Sequence, residues 1–411
     1  RIAAEHQLCP YFLAQEMAHW CDVVVADYNY YFHPSAFLYV LAQEQEWQVA
    51  LLVDEAHNLL ERARGMYSAT LSEGSFDRAR SMVPAAATRA LQSLRVQWDR
   101  AQASCGPDAL LDSLPDELGD ALRDAAGCLA EYFGEHPQLA KGPLQDLFFE
   151  ILQCARLAES FDTHSVLDFS PGQDGAKQLA LRNLIPATFL RPRFAGARSA
   201  ACFSGTLAPF EFYRDTLGLP ADTATVDIAS PFQPHQLQVK LARDLSTRLQ
   251  DRPRTLARLV QLMSAQFAQR PGNYLAFFSS FEYMESAAAE FYRQRPEVAA
   301  WSQKRGSGMD ERRAFLDRFQ PGGQGVGFAV LGGAFAEGVD LPGNRLIGAF
   351  VATLGLPQHD ALNERMRQRM DERFGDGYAY TYLYPGIRKV VQAGGRVIRS
   401  ESDEGVLWLL D

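Results

Sequence analysis

The sequence predicts an α/β protein whose parallel sheets carry helices against their faces, with one mostly helical segment inserted near the front. Three observations lead there. Short Val- and Leu-rich runs alternate with helix-like stretches at both ends of the chain, the pattern of buried parallel strands. Between them, residues 58–199 place Ala, Leu, Arg and Glu at helical spacing over a tract far too long for a loop. The length, 411 residues, is enough for two or three domains at roughly 150 residues each.

In chain order, residues 1–57 hold two apolar runs, DVVVAD at 22–27 and VALLVD at 49–54, both predicted as buried parallel strands. Helical spacing then runs through 76–104, 108–134 and 143–161. It breaks at Gly106-Pro107, Pro137 and Gly142-Pro143, and a hairpin signal appears only around 164–182. The α/β pattern resumes with ACFSGT at 201–206. It continues through VKLARD (239–244), NYLAFFS (273–279), VAAWSQ (298–303), GFAVLGG (327–333), LIGAFVA (346–352) and VLWLLD (406–411), the strands of one complete doubly wound domain. The expected organisation is therefore 1–57 and 200–230 as parts of a first sheet domain, 58–199 as the helical insertion, and 231–411 as a second domain.

Charge and cysteine usage narrow the function classes. A net charge of -10 excludes a uniformly basic nucleic-acid coat but leaves room for a local basic groove. No apolar run approaches the ~20 residues of a membrane span. The six cysteines show no CxxC pair and no zinc spacing, so a reducing cytoplasm is the expectation. Cys21, Cys105, Cys128, Cys154 and Cys202 read as small core hydrophobes; Cys9 is taken up below.

The sharpest chemical signal is LLVDEAHN at 51–58. Nucleotide hydrolysis needs one carboxylate at a strand end for the Mg²⁺ water shell and a second to orient or deprotonate the attacking water, roles that suit Asp54 and Glu55. His57 is then expected at a domain interface. The plainer alternative is a solvated acidic strand end with a helix-capping Asp. CFSGTLAP at 202–209 sets Ser204, Gly205 and Thr206 after a strand, as a coupling turn or an ordinary cap. In NYLAFFSSF, Ser279 and Ser280 either bind phosphate at a helix start or cap it. GGAFAEGVDLPG at 332–343 puts Glu337, Gly338 and Asp340 in a glycine-rich turn open to close ligand approach, or in a purely structural one. QAGGRVIRSESDEG at 392–405 spaces Gln392, Arg396 and Arg399 by four and three, which on a helix is one face and lets two arginines reach a phosphate.

Together these segments resemble motifs II to VI of superfamily 2 helicases, and more narrowly the DinG/XPD-type iron–sulfur helicases. CPYFLA at 9–14 is similar to the segment bearing the family's fourth cluster cysteine, and VVVADYNYYF at 23–32 to the strand before its Mg²⁺ box. The resemblance implies two RecA-like parallel-sheet domains, the first incomplete, with an Arch-type helical insertion. It implies ATP and Mg²⁺, with Asp54 on the metal, Glu55 on the water, and Gln392, Arg396 and Arg399 on the phosphates. Glu337, Gly338 and Asp340 would line the nucleotide edge, Ser204, Gly205 and Thr206 would couple hydrolysis to movement, and Cys9 would ligate a 4Fe-4S cluster. It further implies a bacterial, cytoplasmic, nucleoid-associated monomer translocating 5′→3′ on single-stranded DNA in repair or replication conflicts. Tyr28, Asn29, Tyr30 and Ser279 are candidate nucleic-acid contacts. Stacking by Tyr28, Tyr30, Tyr31 and Phe32 competes with plain packing beneath the sheet.

The sequence departs from that family in two respects. None of the five lysines (Lys141, Lys177, Lys240, Lys304 and Lys389) follows a glycine, so no Gly-Lys-Ser/Thr phosphate loop exists here. Only eight residues precede Cys9, so the other three cluster cysteines are absent. With a chain opening on Arg1, this reads as a piece of a larger protein that by itself neither binds ATP tightly nor holds a cluster. The competing expectations are a catalytically inactive nucleic-acid-binding module and an RNA-directed DEAH helicase.

Overall fold

The computed structural model describes residues 2–106, 109–139, 141–172, 175–333, 335 and 340–411. Glu337 and Gly338 therefore lie outside the described residues. The chain divides into two compact units, one of residues 1–224 with 359–377, the other of 225–358 with 378–411.

The second unit is a six-stranded, all-parallel sheet. Its strands are β7 (Leu237–Leu241), β8 (Asn273–Phe278), β9 (Ala299–Ser302), β10 (Gly325–Val330), β11 (Gly348–Ala352) and β12 (Gly405–Leu409) in the order β7-β12-β11-β8-β10-β9. Alternation along the strands explains the two-sided burial. Tyr274, Ala276, Phe278, Phe328 and Phe350 face one core with the helices Arg252–Gln269 and Phe281–Gln294. Leu275, Phe277, Ala329, Ala349 and Val351 face the other, with Phe315, Val397 and Ile398. At Gly348 an added Cβ would fall 2.6 Å from the Tyr274 ring, so the large side chain next door excludes any other residue.

The first unit holds two sheets. β1 (Ala50–Val53) and β6 (Ser199–Cys202) form a parallel pair, Val53 opposite Cys202. β2 (Ala69–Ser72), β3 (Leu110–Leu111), β4 (Ser165–Asp168) and β5 (Gln178–Asn183) form an antiparallel sheet in the order β2-β5-β4-β3. The hairpin expected near 164–182 is the β4–β5 pair; β2 and β3 carried too few apolar residues to announce themselves. Long helices at Ala85–Ala103, Asp116–Glu135 and Pro143–Ala158 dominate this region. The helix Ala361–Phe374, although its sequence lies among the second unit's strands, packs with the first. There Arg365 and Arg369 both pair with Asp112. The Asp112 carboxyl sits below its usual range, burial being outweighed by those two guanidiniums.

Two expectations fail. DVVVAD at 22–27 is not a strand: Val23 and Val25 are 79% and 95% exposed, and among the described residues no strand lies beside the run. An apolar run becomes a parallel strand only when neighbours take its backbone hydrogen bonds. Gln392, Arg396 and Arg399 do not share a helical face, because the helix Tyr384–Gly394 ends before both arginines. The Gly394-Gly395 pair weakens helix continuation there. Among the described residues no helix is long and apolar enough to cross a membrane.

Candidate active site

Because β1 and β6 run parallel in register, the residues after each emerge at the same sheet end. Their backbones stay joined past the strands: Phe203 N donates to the Val53 carbonyl at 3.0 Å and Ala56 N to the Phe203 carbonyl at 3.1 Å. Between them Glu55 adopts a left-handed backbone, φ 45° and ψ 44°, a conformation costing a non-glycine residue roughly 1–3 kcal/mol. Tyr28 holds that turn. Its hydroxyl donates to the Asp54 carbonyl at 2.5 Å and to the Glu55 carbonyl at 3.0 Å. Burial, reinforced by the Asp54, Glu55 and Asp27 carboxylates against Arg62, pushes the phenol up to about 12, so it stays a donor.

The strained turn sends the Glu55 side chain toward β6. Ser204 Oγ donates to Glu55 Oε2 at 2.9 Å and accepts from Thr206 N at 3.1 Å. His57 is buried at 2% exposure inside this first unit, its Nδ1 2.6 Å from Ser204 Oγ, 3.1 Å from Thr206 Oγ1 and 3.3 Å from Glu55 Oε2. Ser204 has one hydroxyl proton. While it goes to Glu55, the His57 contact requires a proton on Nδ1 directed at the serine. The Glu55 side chain itself remains 59% exposed, tethered at one oxygen and reachable by water. Asp54 is exposed beside it and accepts from Glu55 N at 2.7 Å. One carboxylate oriented from below with a second open to solvent suits a water-activating base next to an Mg²⁺ ligand, so Asp54 fits that ion. Nothing in the chain supplies the lysine of a phosphate loop.

The other predicted residues are placed as follows. Tyr31 and Phe32 are buried, and Tyr30 is exposed. Asn29 opens the short helix Asn29–Phe32, its N–H capped by Asp27 at 3.0 Å. Tyr28 is a support for the carboxylate turn, not a free stacking face. In the second unit Ser280 caps the helix Phe281–Gln294, while the exposed Ser279 accepts from Arg252 at 2.8 Å. Arg399 Nε lies 3.6 Å from Asp340 Oδ1, a solvated pair with Asp340 76% exposed.

Two residues that hold the arginine loop escaped the sequence reading. Asp403 accepts from the backbone N–H groups of Arg399 at 2.7 Å and Ser400 at 2.9 Å, and from the Ser400 hydroxyl at 2.7 Å. Burial alone would raise its carboxyl; these bonds, with one from Gly343 N–H, hold it below the usual range instead. The buried Gln236 donates to the carbonyls of Ser400, Glu401 and Asp403. The signals were local: Ser-x-x-Asp at 400–403, and Gln-Pro-x-Gln at 233–236, a capping box.

The 4Fe-4S expectation places one ligand, Cys9, in this chain and the other three outside it, so the described residues do not test it. Cys9 is an exposed cap of the helix Pro10–Ala18, and among the described residues no three His, Cys, Asp or Glu side chains gather as ligands. Of the cysteines read as core, Cys154 is buried, Cys105, Cys128 and Cys202 are half-buried, and Cys21 is exposed. Burial pushes the Cys202 thiol up to about 11.

Comparison with known proteins gives two family matches. A Helicase C-terminal domain model matches residues 263–411 and the DEAD_2 model matches 1–76, together more than half of the chain. A probable ATP-dependent helicase of Methanocaldococcus jannaschii is 30% identical over 205 residues, 45% of this chain and 30% of that protein. The ATP-dependent DNA helicase XPD of Sulfolobus acidocaldarius is 20% identical over 419 residues, 99% of this chain and 72% of that protein. The chain thus spans under a third of the first relative's length. A solved XPD helicase structure superposes on the whole chain with a TM-score of 0.64 at 18% identity, covering 72% of that structure, a likeness of fold.

Proposed function

We propose a function from one premise: the chain belongs to the XPD/DinG-type superfamily 2 helicases. On this reading it carries the hydrolytic carboxylates and the second motor domain of an ATP-driven helicase. The intact protein translocates along single-stranded DNA, 5′→3′, in repair or in the resolution of replication conflicts. The supporting observation is the network joining Glu55, Ser204, His57 and Thr206 across the ends of β1 and β6.

Asp54 would hold Mg²⁺, which when bound would neutralise phosphate charge. Glu55 orients the attacking water and takes its proton. Ser204 fixes the free rotation of that carboxylate, and His57 and Thr206 fix Ser204, so any shift of the turn after β6 re-aims Glu55. Gln392, Arg396 and Arg399 read the phosphates from the second motor domain, and Glu337, Gly338 and Asp340 line the nucleotide edge. Tyr30, Asn29 and Ser279 stand as nucleic-acid contacts. Cys9, exposed at the start of the helix Pro10–Ala18, supplies one ligand of a 4Fe-4S cluster whose other three lie outside this chain, and the iron content of the intact protein tests it.

In the intact parent, Glu55→Gln should lower DNA-stimulated ATP turnover by ~10²–10⁴-fold without loss of fold. Undiminished turnover would remove Glu55 from its role. A second reading, a non-catalytic nucleic-acid-binding module, holds if the natural polypeptide carries no Gly-Lys-Ser/Thr loop, as these 411 residues carry none. It predicts strand binding without ATP turnover by the natural polypeptide. Tighter binding to single-stranded RNA than to DNA of the same sequence would transfer the substrate to RNA.

A further inference from the structure

The chain as a whole carries a net charge of -10, yet one concavity in the first unit reverses that sign. It encloses ≈ 410 Å³ and is lined by Arg191, Arg214, Arg373, Asp215, Phe374 and the turn at Gly218. The three guanidiniums come from three helices, Ala187–Ala195, Phe210–Leu217 and Ala361–Phe374. Gly218 ties two of them together. It has φ +72°, and an added Cβ would fall 2.4 Å from the Ala187 carbonyl oxygen, so this turn packs bare backbone onto the start of the neighbouring helix.

The charges do not cancel. Asp215 offsets Arg214, whose guanidinium it meets at 3.0 Å. Among the described residues neither Arg191 nor Arg373 forms a salt bridge, and the Arg373 guanidinium lies 5.8 Å from the centroid of the Phe374 ring. The helices Phe210–Leu217 and Ala361–Phe374 both end at the pocket, and each C-terminus contributes about half a negative charge. That accounts for cations at Arg214 and Arg373 but not for Arg191, and it leaves a surplus of about one positive charge. Arginine's planar fork is matched to phosphate oxygens, and the Phe374 ring gives the wall an apolar side.

We propose that this pocket binds a phosphate group, the phosphodiester of a single nucleic-acid strand being the source whose single charge matches the surplus. A small free phosphate compound shares the same chemistry. None of the lining residues belongs to the carboxylate turn or the arginine loop, so the pocket stands or falls independently of ATP hydrolysis.

The test is fluorescence anisotropy of labelled (dT)20 with the purified chain at several salt concentrations. Arg191→Gln and Arg373→Gln should each reduce the slope of log affinity against log salt by about 0.7, the share of one single-strand phosphate contact. Arg191→Lys, which keeps the charge, should retain the slope. Arg123→Gln removes an exposed arginine outside the pocket and should leave the slope unchanged. In parallel, calorimetry with inorganic pyrophosphate reports the other source: binding by the wild type and not by Arg373→Gln, with unchanged (dT)20 slopes, assigns the pocket to a small phosphate. Pocket variants that match Arg123→Gln on the strand, with no pyrophosphate binding by the wild type, overturn the proposal.

Discussion

The two parallel sheets use the same strand chemistry and end in opposite states. β8 is buried at all six positions and β11 at all five, because every strand residue meets one of two helix-backed cores. In β1 and β6 only Val53 is buried; Leu52 is 72% exposed, and Phe203 just beyond β6 is 46% exposed. The run ALLV is as apolar as GAFVA. Burial is conferred by the neighbours and the covering layer, which a strand's own residues do not encode. The candidate active site nevertheless sits on the poorly covered pair, since what it needs from the sheet is the register of Val53 with Cys202. Side-chain bonds from Tyr28, Ser204 and His57 do the rest of the positioning.

The largest stability effect that would break this contrast lies in the second unit. Phe350 is fully buried and packs on Tyr274 with ring centroids 5.2 Å apart. Phe350→Ala should cost about 3–5 kcal/mol, read as a shift of the urea midpoint for that unit's transition. A cost below about 1 kcal/mol would mean the six-stranded sheet tolerates a void as a loose surface does, and the contrast would lose its basis.

A smaller effect, with a pH signature, sharpens the comparison at the arginine loop. Asp403→Asn removes a buried charged acceptor of several N–H and O–H groups. Hydrogen bonds to charged groups contribute about 1.5–3 kcal/mol each, so roughly 2–3 kcal/mol in total is a conservative expectation. Because the folded carboxyl is held below its unfolded value, its stabilisation is complete above about pH 4 and is lost as pH falls through the folded value. Wild type and variant should therefore differ by a constant amount from neutral pH to about 5 and converge below about 4. A difference that grows on acidification would show that Asp403 is not the ionised acceptor.

How much was legible in the sequence follows from the same physics. Each strand of the second unit was visible because β10, β11 and β12 are continuous apolar runs between helical stretches, whereas Glu55 and Ser204 were singled out in separate motifs and their hydrogen bond was not foreseen. What stayed hidden depended on partners far along the chain. DVVVAD has strand composition but no paired neighbour among the described residues. Tyr28 looked like a stacking ring and proved to be a clamp on a turn 26 residues away. Asp403 and Gln236 look like ordinary loop polar residues until the backbone they hold is in view. The arginines at 396 and 399 keep helical spacing, yet the helix ends at Gly394 and the loop that follows presents them instead.

The smallest effect tests the sparse sheet itself. Leu52 lies at the centre of β1 with 72% of its surface exposed, whereas its β11 counterparts are fully buried. Removing an apolar side chain that is already in water forfeits little transfer free energy, so Leu52→Ser should change the stability of the first unit by no more than about 0.5 kcal/mol. The same substitution should raise solubility by reducing an exposed apolar strand edge of the kind that invites aggregation. Both readouts are needed. A loss of 2 kcal/mol or more, on the order expected for a buried leucine, would mean that Leu52 is covered in solution. A neutral change with unaltered solubility would mean the exposed pair is harmless as it stands.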